Sequence, residues 1–312
     1  MFDARLLAVF REVATRGSFS EAAVALSFTQ PAVSQQIARL ERQLGTRLLA
    51  RDARGATLTP AGEVLLRHAE AVLGQLRAAE AEVQDVAGVT RPRLRVGAFP
   101  SAAASIMPPA LAELRADHPL ADVGMRVLEA PQALEALRTG ELDLAMLLDS
   151  ELLALELPPG VEAVPVLEDP LFVALPFSHR LAGRSAIALA DLRDDEWMLC
   201  GVDGTCVDSN VVLRACDEAG FVPRIGFESD DYPAVQGMVA SGMGVALIPS
   251  LALVAARTDI AIKPLRDATP ARRVRAGVAK DRPSALADAL LEILRAAGRE
   301  RPWAGRQLTA AA

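Results

Sequence analysis

The stretch SFSEAAVALSFTQPAVSQQIARLER, Ser18 to Arg42, decides how the rest of this chain is read. Ser18 with Glu21 three residues on is a capping box, in which the serine oxygen accepts an orphan helix N–H and the glutamate reaches back to the cap. Ala22, Ala23 and Leu26 then share one face of a short helix. A second start follows, with Thr29 as N-cap and Pro31 in the first turn, where a missing N–H costs little. Val33, Ile37, Leu40 and Leu44 repeat at helical spacing and face a core. The opposite face carries Gln30, Ser34, Gln35 and Arg39. Two helices joined by a few residues, the second polar on its outer face, form a helix-turn-helix candidate. Amide and hydroxyl side chains suit a helix that enters a major groove, because Gln reads adenine edges and Ser can read several bases. The same local pattern also fits an ordinary helical hairpin with a solvated face.

Working outward, Asp3 to Thr15 is an amphipathic helix with Phe2, Leu6, Phe10 and Val13 on one stripe, ended near Gly17. It completes a three-helix core. After Gly45, Leu48-Leu49 is apolar, Asp52 to Gly55 is turn-rich, and Ala56-Thr57-Leu58 returns as a strand. This is a short β-wing, with Arg47, Arg51 and Arg54 in or beside it as candidate phosphate contacts. The candidate DNA-binding residues are therefore Ser18, Thr29, Gln30, Pro31, Ser34, Gln35, Arg39, Arg51 and Arg54.

The run from Ser18 through Leu66 resembles the N-terminal domain of LysR-type transcriptional regulators. The matching parts are Ala22-Ala23, Gln30-Pro31-Ala32-Val33-Ser34, Leu40-Glu41, Leu44-Gly45, Leu48-Leu49, Arg51, Leu58-Thr59 and Ala61-Gly62. Ala50 departs, since the family usually has an aromatic there or nearby. The likeness covers roughly the first 60 residues without a gap and continues in pattern to the end of the chain. It implies a DNA reader on a helical linker, joined to a domain that takes a small inducer or corepressor.

Thr59-Pro60 starts the next helix as N-cap and N1, and the pattern runs unbroken to about Ala87, ~42 Å at 1.5 Å per residue. Leu65, Ala69, Val72, Leu76, Ala79, Val83 and Val86 recur at alternating spacings of four and three, a heptad seam that needs a partner helix. A second copy of this chain is expected there. The family resemblance implies that the two linker helices pair antiparallel, and that dimers associate into a tetramer on two separated half-sites.

Gly88 to Pro92 reads as a hinge, and beyond it strands alternate with helices, which implies parallel βαβ units. The first set is strand Leu94–Ala98, helix Ile106–Arg115, strand Val123–Glu129, helix Gln132–Arg138 and strand Leu142–Leu148. The second runs through Val166-Leu167, Leu171–Leu175, Trp197–Cys200, helix Val207–Ala219, Ile225–Glu228, helix Tyr232–Ser241 and Val245–Pro249. Strands Ile260–Leu265 and Val274–Ala279 and helix Ala285–Ala297 complete it. Two α/β lobes joined by two crossings resemble a periplasmic binding protein with a cleft between them. With the family as guide the crossings fall near Gly160–Pro165 and Pro264–Arg272.

The expected class is thus α/β, in four parts. Residues 1–58 form a winged helix-turn-helix and 59–90 a linker helix and hinge. Residues 91–300 form a two-lobed effector domain, with lobe I at 91–163 and 268–300 and lobe II at 164–267. Residues 301–312 are a tail without periodicity. The candidate effector-binding residues are Ser101, Ala102, Pro131, Cys200, Thr205 and Met243. Phe99-Pro100-Ser101-Ala102 lies between a strand and a helix, a place that suits an anionic or polar guest and equally a plain N-cap.

Composition agrees. The net charge of −7 is uneven: 1–58 carries +3, 59–90 carries −3 and 91–312 carries −7. A basic front on an acidic body fits a DNA reader carried by another module, although so small a charge binds poorly as one copy. Lys263 and Lys280 are the only lysines among 33 basic residues, a mark of GC-rich codons. No apolar run approaches the ~18 to 20 residues of a membrane span, and Met1–Arg5 does not open a signal peptide, so a cytoplasmic protein is expected.

Three histidines far apart, no nucleophile elbow and no Cys/His cluster with metal spacing argue against an enzyme, a metal site or a cofactor. A solute-binding protein or α/β enzyme with an incidental helical front end does not account for the full winged helix-turn-helix. A redox-switched regulator using Cys200 and Cys206 is the remaining alternative. The resemblance supports it, since peroxide-sensing members of the family use a cysteine pair in this lobe. Against it, no cation occurs between Cys200 and Arg214 to lower a thiol pKa.

Overall fold

The computed structural model describes residues 3–52, 55–86, 91–149, 155–201, 206–267 and 270–300. They fall into two compact units, Met1–Arg91 with Arg138–Glu141, and the rest of the chain.

In the first unit, α1 (Ala4–Arg16), α2 (Phe19–Ala25) and α3 (Gln30–Leu44) close round Leu6, Phe10, Val13, Phe19, Ala22, Val33, Ile37 and Leu40. Ser18 accepts from the Glu21 N–H at 3.3 Å and Thr29 from the Ala32 N–H at 3.4 Å, so both serve as N-caps. Leu6, Phe10, Val13, Ala22, Val33, Ile37 and Leu40 sit where their spacing put the inner face, and Phe19, Leu7 and Val9 join them in the core. Strands β1 (Leu49–Asp52) and β2 (Gly55–Leu58) pair antiparallel as the wing. One carboxylate oxygen of Glu41 accepts from the N–H groups of Leu48 and Leu49, at 2.8 and 3.3 Å, and ties α3 to the wing. Helix α4 (Pro60–Val86) follows, capped by Thr59, whose hydroxyl accepts from the Gly62 N–H. Gly62 sits where a Cβ would lie 2.1 Å from the Leu48 carbonyl oxygen, so only glycine lets α4 approach the wing this closely.

Farther along α4, Val72, Leu76 and Val83 are 46%, 45% and 69% exposed, apolar side chains left facing solvent in the single chain. Ala69, on the same seam, is buried. The side chain of Val86 lies outside the described residues.

The second unit has two lobes. In the first, β3 (Arg93–Ala98) pairs parallel with β4 (Asp122–Val127) and β5 (Leu144–Asp149). Helices α5 (Pro100–Ala104), α6 (Met107–Asp117) and α7 (Ala130–Thr139) connect these strands. The second lobe is built on β7 (Glu196–Cys200), α8 (Val207–Glu218), β8 (Arg224–Ser229), α9 (Tyr232–Ala240), β9 (Ala246–Pro249) and β10 (Ile260–Lys263). Strands β7 and β8 are parallel.

Two chain crossings join the lobes, and the first differs from the sequence reading. Strand β6 (Val161–Pro176) is one 16-residue strand, where the sequence reading had two short ones, Val166-Leu167 and Leu171–Leu175, following a crossing at Gly160–Pro165. Its first part, through Pro170, pairs with β11 (Ala271–Ala279) in lobe I, and its second, from Leu171, pairs with β9 and β10 in lobe II. The change of partner near Asp169–Leu171 is the crossing. The return lies between β10 and β11. Strands that leave and re-enter a sheet this way meet it reversed, so β6, β9, β10 and β11 are paired antiparallel and the seven-stranded sheet they share with β3, β4 and β5 is mixed, while β7 and β8 form a separate parallel pair; the alternation had implied parallel units throughout. Helix α10 (Ala285–Glu300) returns to the lobe I core through Leu286, Leu290 and Leu294.

Candidate functional site

Two surfaces carry the chemistry, one in each unit. On the first, the buried stripe of α3 fixes the helix and turns Gln30, Pro31, Gln35 and Arg39 outward, all exposed, while Ser34 is half-buried at the edge of that face. A helix whose inner face is locked by Val33, Ile37 and Leu40 holds its outer side chains in fixed relation, as base reading requires. Ser18 and Thr29 sit at helix starts with their oxygens in capping bonds. Arg47 is exposed beside the wing. Arg51 lies in β1 opposite Ala56, its side chain outside the described residues, and Arg54 lies wholly outside them.

The second surface is a cavity of about 440 Å³ between the lobes of the effector unit. Lobe I contributes Phe99, Ser101, Glu129, Pro131 and Leu148; lobe II contributes Cys200, Cys206, Asp208, Asp230 and Tyr232. Arg272, from the second crossing, completes the wall. Most of these residues follow the C-terminal end of a strand, where an open α/β sheet leaves a crevice.

Arg272 organises this wall. Its side chain is 1% exposed, and Nε and Nη2 donate to one oxygen of Asp169 at 3.2 and 2.5 Å. Nη1 donates to Asp208 at 2.8 Å and Nη2 to the Ser101 hydroxyl at 3.0 Å. Its guanidinium carbon lies 5.4 Å from the centre of the Phe99 ring. Burial alone would lower the Arg272 pKa, but the charges of Asp208 and Asp169 hold it well above the ordinary arginine value. The other oxygen of Asp169 accepts from the Ser250 hydroxyl at 2.6 Å and the Leu251 N–H at 3.1 Å. Asp169 on the first crossing and Arg272 at the second thus clasp both connections where they enter the cleft.

Of the six expected effector contacts, Ser101, Pro131 and Cys200 line the cavity. Ala102 is fully buried behind it, in the lobe I core. Thr205 lies outside the described residues. Met243 is 50% exposed and not in the wall, because it follows the far end of α9, whose first residue, Tyr232, is the one at the cavity. Nor does the helix start at Phe99–Ala102 offer an anion seat. Helix α5 has only five residues, Pro100 has no N–H, and the Ser101 oxygen accepts from Arg272.

Sequence reasoning missed Asp208, Glu129, Tyr232 and Arg272. Asp208 and Tyr232 stand in the first turns of α8 and α9, the strand-to-helix position that had singled out Ser101. Among the described residues, no three metal-ligating side chains come together.

The cysteines are free. Burial first, and then the charge of Asp208, pushes both the Cys200 and Cys206 thiols up, and burial pushes Cys216 up to about 12. A thiol held protonated is a poor nucleophile towards peroxide. Micromolar peroxide on the full chain is therefore expected to leave a Cys200–Cys206 disulfide below detection by mass spectrometry, with DNA binding unaltered. A bond formed at that dose, with changed DNA binding, would make the pair a sensor.

An outward-facing recognition helix with a wing, and a ligand-sized cleft between two lobes, define a DNA-binding protein that senses a small molecule. Residues 4–63 match the bacterial regulatory helix-turn-helix model of the lysR family, and residues 87–299 match the LysR substrate binding domain. The chain belongs to the LysR family of transcriptional regulators, which are not enzymes.

Its relatives include the HTH-type transcriptional regulator AlsR of Bacillus subtilis (strain 168). That protein is 31% identical over 253 residues, 80% of this chain and 81% of the other. A probable hydrogen peroxide-inducible genes activator of Mycobacterium avium is 32% identical over 275 residues, 86% and 85% of the two chains. In fold, the chain is similar to CbnR, a LysR family transcriptional regulator whose crystal structure superposes with a TM-score of 0.72. There the identity is 23%, and the match covers 95% of this chain and 99% of that one.

Proposed function

We propose that this protein is a cytoplasmic regulator that reads an operator with α3, holds the flanking phosphates with its wing, and changes its DNA binding when a small molecule enters the inter-lobe cleft. The row Gln30, Pro31, Gln35 and Arg39, turned outward by a helix anchored through Val33, Ile37 and Leu40, carries the reading. Among the described residues no helix is long and apolar enough to cross a membrane, which supports the cytoplasmic placement. The exposed apolar residues of α4 support pairing of two copies through their linker helices, and a neighbouring fold, full-length CbnR, has been solved in complex with its target DNA. Ser101, Pro131 and Cys200 are the effector contacts retained from the sequence, now joined by Asp208, Glu129, Tyr232 and Arg272.

Base contacts and phosphate contacts answer differently to mutation, and this tests the assignment. Gln30→Ala or Ser34→Ala is expected to lower the preference for operator over random DNA by about 1–3 kcal/mol. Arg51→Ala or Arg54→Ala should weaken binding to every sequence and reduce the slope of log K against log salt by about one. Titrating fluorescent operator and random duplexes at several salt concentrations separates the two. Wing variants with an unchanged salt slope would remove those arginines from the phosphate contacts.

A further inference from the structure

The inter-lobe cavity has one cation in its wall, and that cation is already engaged. Arg272 uses Nε, Nη1 and Nη2 on Asp169, Asp208 and Ser101, so a carboxylate or phosphate guest would have to displace a buried aspartate to reach it. No other Arg, Lys or His lines the cavity among the described residues. The stretches of this domain outside them, residues 150–154, 202–205 and 268–269, contain no basic residue. The wall itself holds three carboxylates, Glu129, Asp208 and Asp230, with Asp169 directly behind Arg272. A cleft lined by one sign of charge concentrates guests of the other sign.

The carboxylates are also divided between the lobes. Glu129 stands at the start of α7 in lobe I, whereas Asp208 and Asp230 belong to lobe II. Glu129 and Asp230 are exposed at the mouth, and neither makes an ion pair among the described residues. Burial first, then the charges of Asp208 and Asp230 across the cleft, raises the Glu129 carboxyl above the ordinary value. Phe99, Pro131, Leu148 and Tyr232 supply apolar surface between them.

We propose that the effector of this cleft is an organic cation, an amine or guanidine of metabolite size, whose positive group bridges Glu129 of lobe I and Asp230 of lobe II while its carbon skeleton lies on the apolar wall. The proposal rests on the reading of the chain as an effector-responsive regulator and names the chemical class of that effector. It also supplies a coupling. In the empty cleft, like charges on opposite lobes oppose closure; a cation between them replaces repulsion with attraction to both. The lobes then close about the two crossings that Arg272 and Asp169 hold together.

The test uses the full chain and probes of defined charge: 1,4-diaminobutane and agmatine as cations, and adipate as a dianion of similar span. Melting temperature reports binding, and a gel shift with the upstream region of the protein's own gene reports DNA binding. Glu129→Gln and Asp230→Asn remove the charges at exposed positions. The cations are expected to raise the melting temperature of the wild type saturably and adipate to leave it unchanged. Each amide variant should weaken the cation roughly fivefold, the most an exposed ion pair supplies.

Stabilisation by adipate, cation binding unchanged in both variants, or no effect of any probe on a protein that still binds its operator would overturn the charge class. Charge-selective binding of the diamine by a protein that never prefers its operator to random DNA would leave the cleft assignment standing and remove the regulator reading.

Discussion

Replacing Arg272 with alanine is expected to lower the stability of the effector domain by about 3–5 kcal/mol, because it strands buried carboxylates without their counter-charge. Asp169 is fully buried and Asp208 nearly so, and among the described residues Arg272 is the only cation bonded to either. The loss also unpins the crossings, since among the described residues the side chain of Asp169 on β6 would keep only Ser250 and Leu251 as partners. Chemical denaturation of the full chain, read as the transition of the effector unit because two units need not unfold together, gives the number. Arg257 pairs with Asp259 at the surface, and Arg257→Ala should leave that transition in place. A shift for Arg272→Ala no larger than for Arg257→Ala would mean that the buried network is not what holds the lobes. Pairing Arg272→Met with Asp169→Asn should recover part of the loss, since removing both charges leaves less uncompensated than removing one.

Leu76→Glu is expected to separate the protein into single chains and to weaken operator binding by two orders of magnitude or more. On α4, Leu76 lies between Val72 and Val83, all three exposed in the single chain. Apolar side chains recurring at these intervals find cover only against another helix, and a glutamate there would be buried against its own copy in a symmetric pair. Two reading heads on one assembly bind two half-sites with an effective concentration that a single head lacks, worth 10²–10⁴ in affinity. Light scattering at micromolar concentration and the same gel shift measure both effects. A wild type that scatters as a monomer, or a Leu76→Glu protein that remains a dimer, would mean the seam is covered in some other way.

The N-terminal unit was legible because its signals are local. Caps, turn residues and apolar spacing lie within a few residues of what they determine, so α1, α3, the wing and α4 fall close to where the pattern put them. The crossing was not, because Pro165, Glu168, Asp169 and Pro170 interrupt the apolar run of β6 and make one strand read as two. What stabilises Asp169 there comes from Ser250 and Arg272, 81 and 103 residues away. Nothing beside Arg272 in the sequence marks it as a buried cation.

The cavity was legible in the same measure. Ser101, Pro131 and Cys200 were found by their place after strands, a rule that also covers Asp208 and Tyr232. Met243 was misplaced because the turn at Gly242 is distinctive in sequence but stands about 13 Å along α9 from the residue at the cavity. The acidic character of the wall became visible only when Glu129, Asp208 and Asp230, from three separate connections, were brought to one opening.

Binding of the full chain to a duplex from upstream of its own gene, against a random duplex of equal length at the same salt, tests the regulator reading most directly. Wild-type protein should prefer the upstream duplex by at least about 10³-fold, with the preference reduced in Gln30→Ala. Equal affinity for both duplexes in the wild type, unchanged by Gln30→Ala, would contradict it.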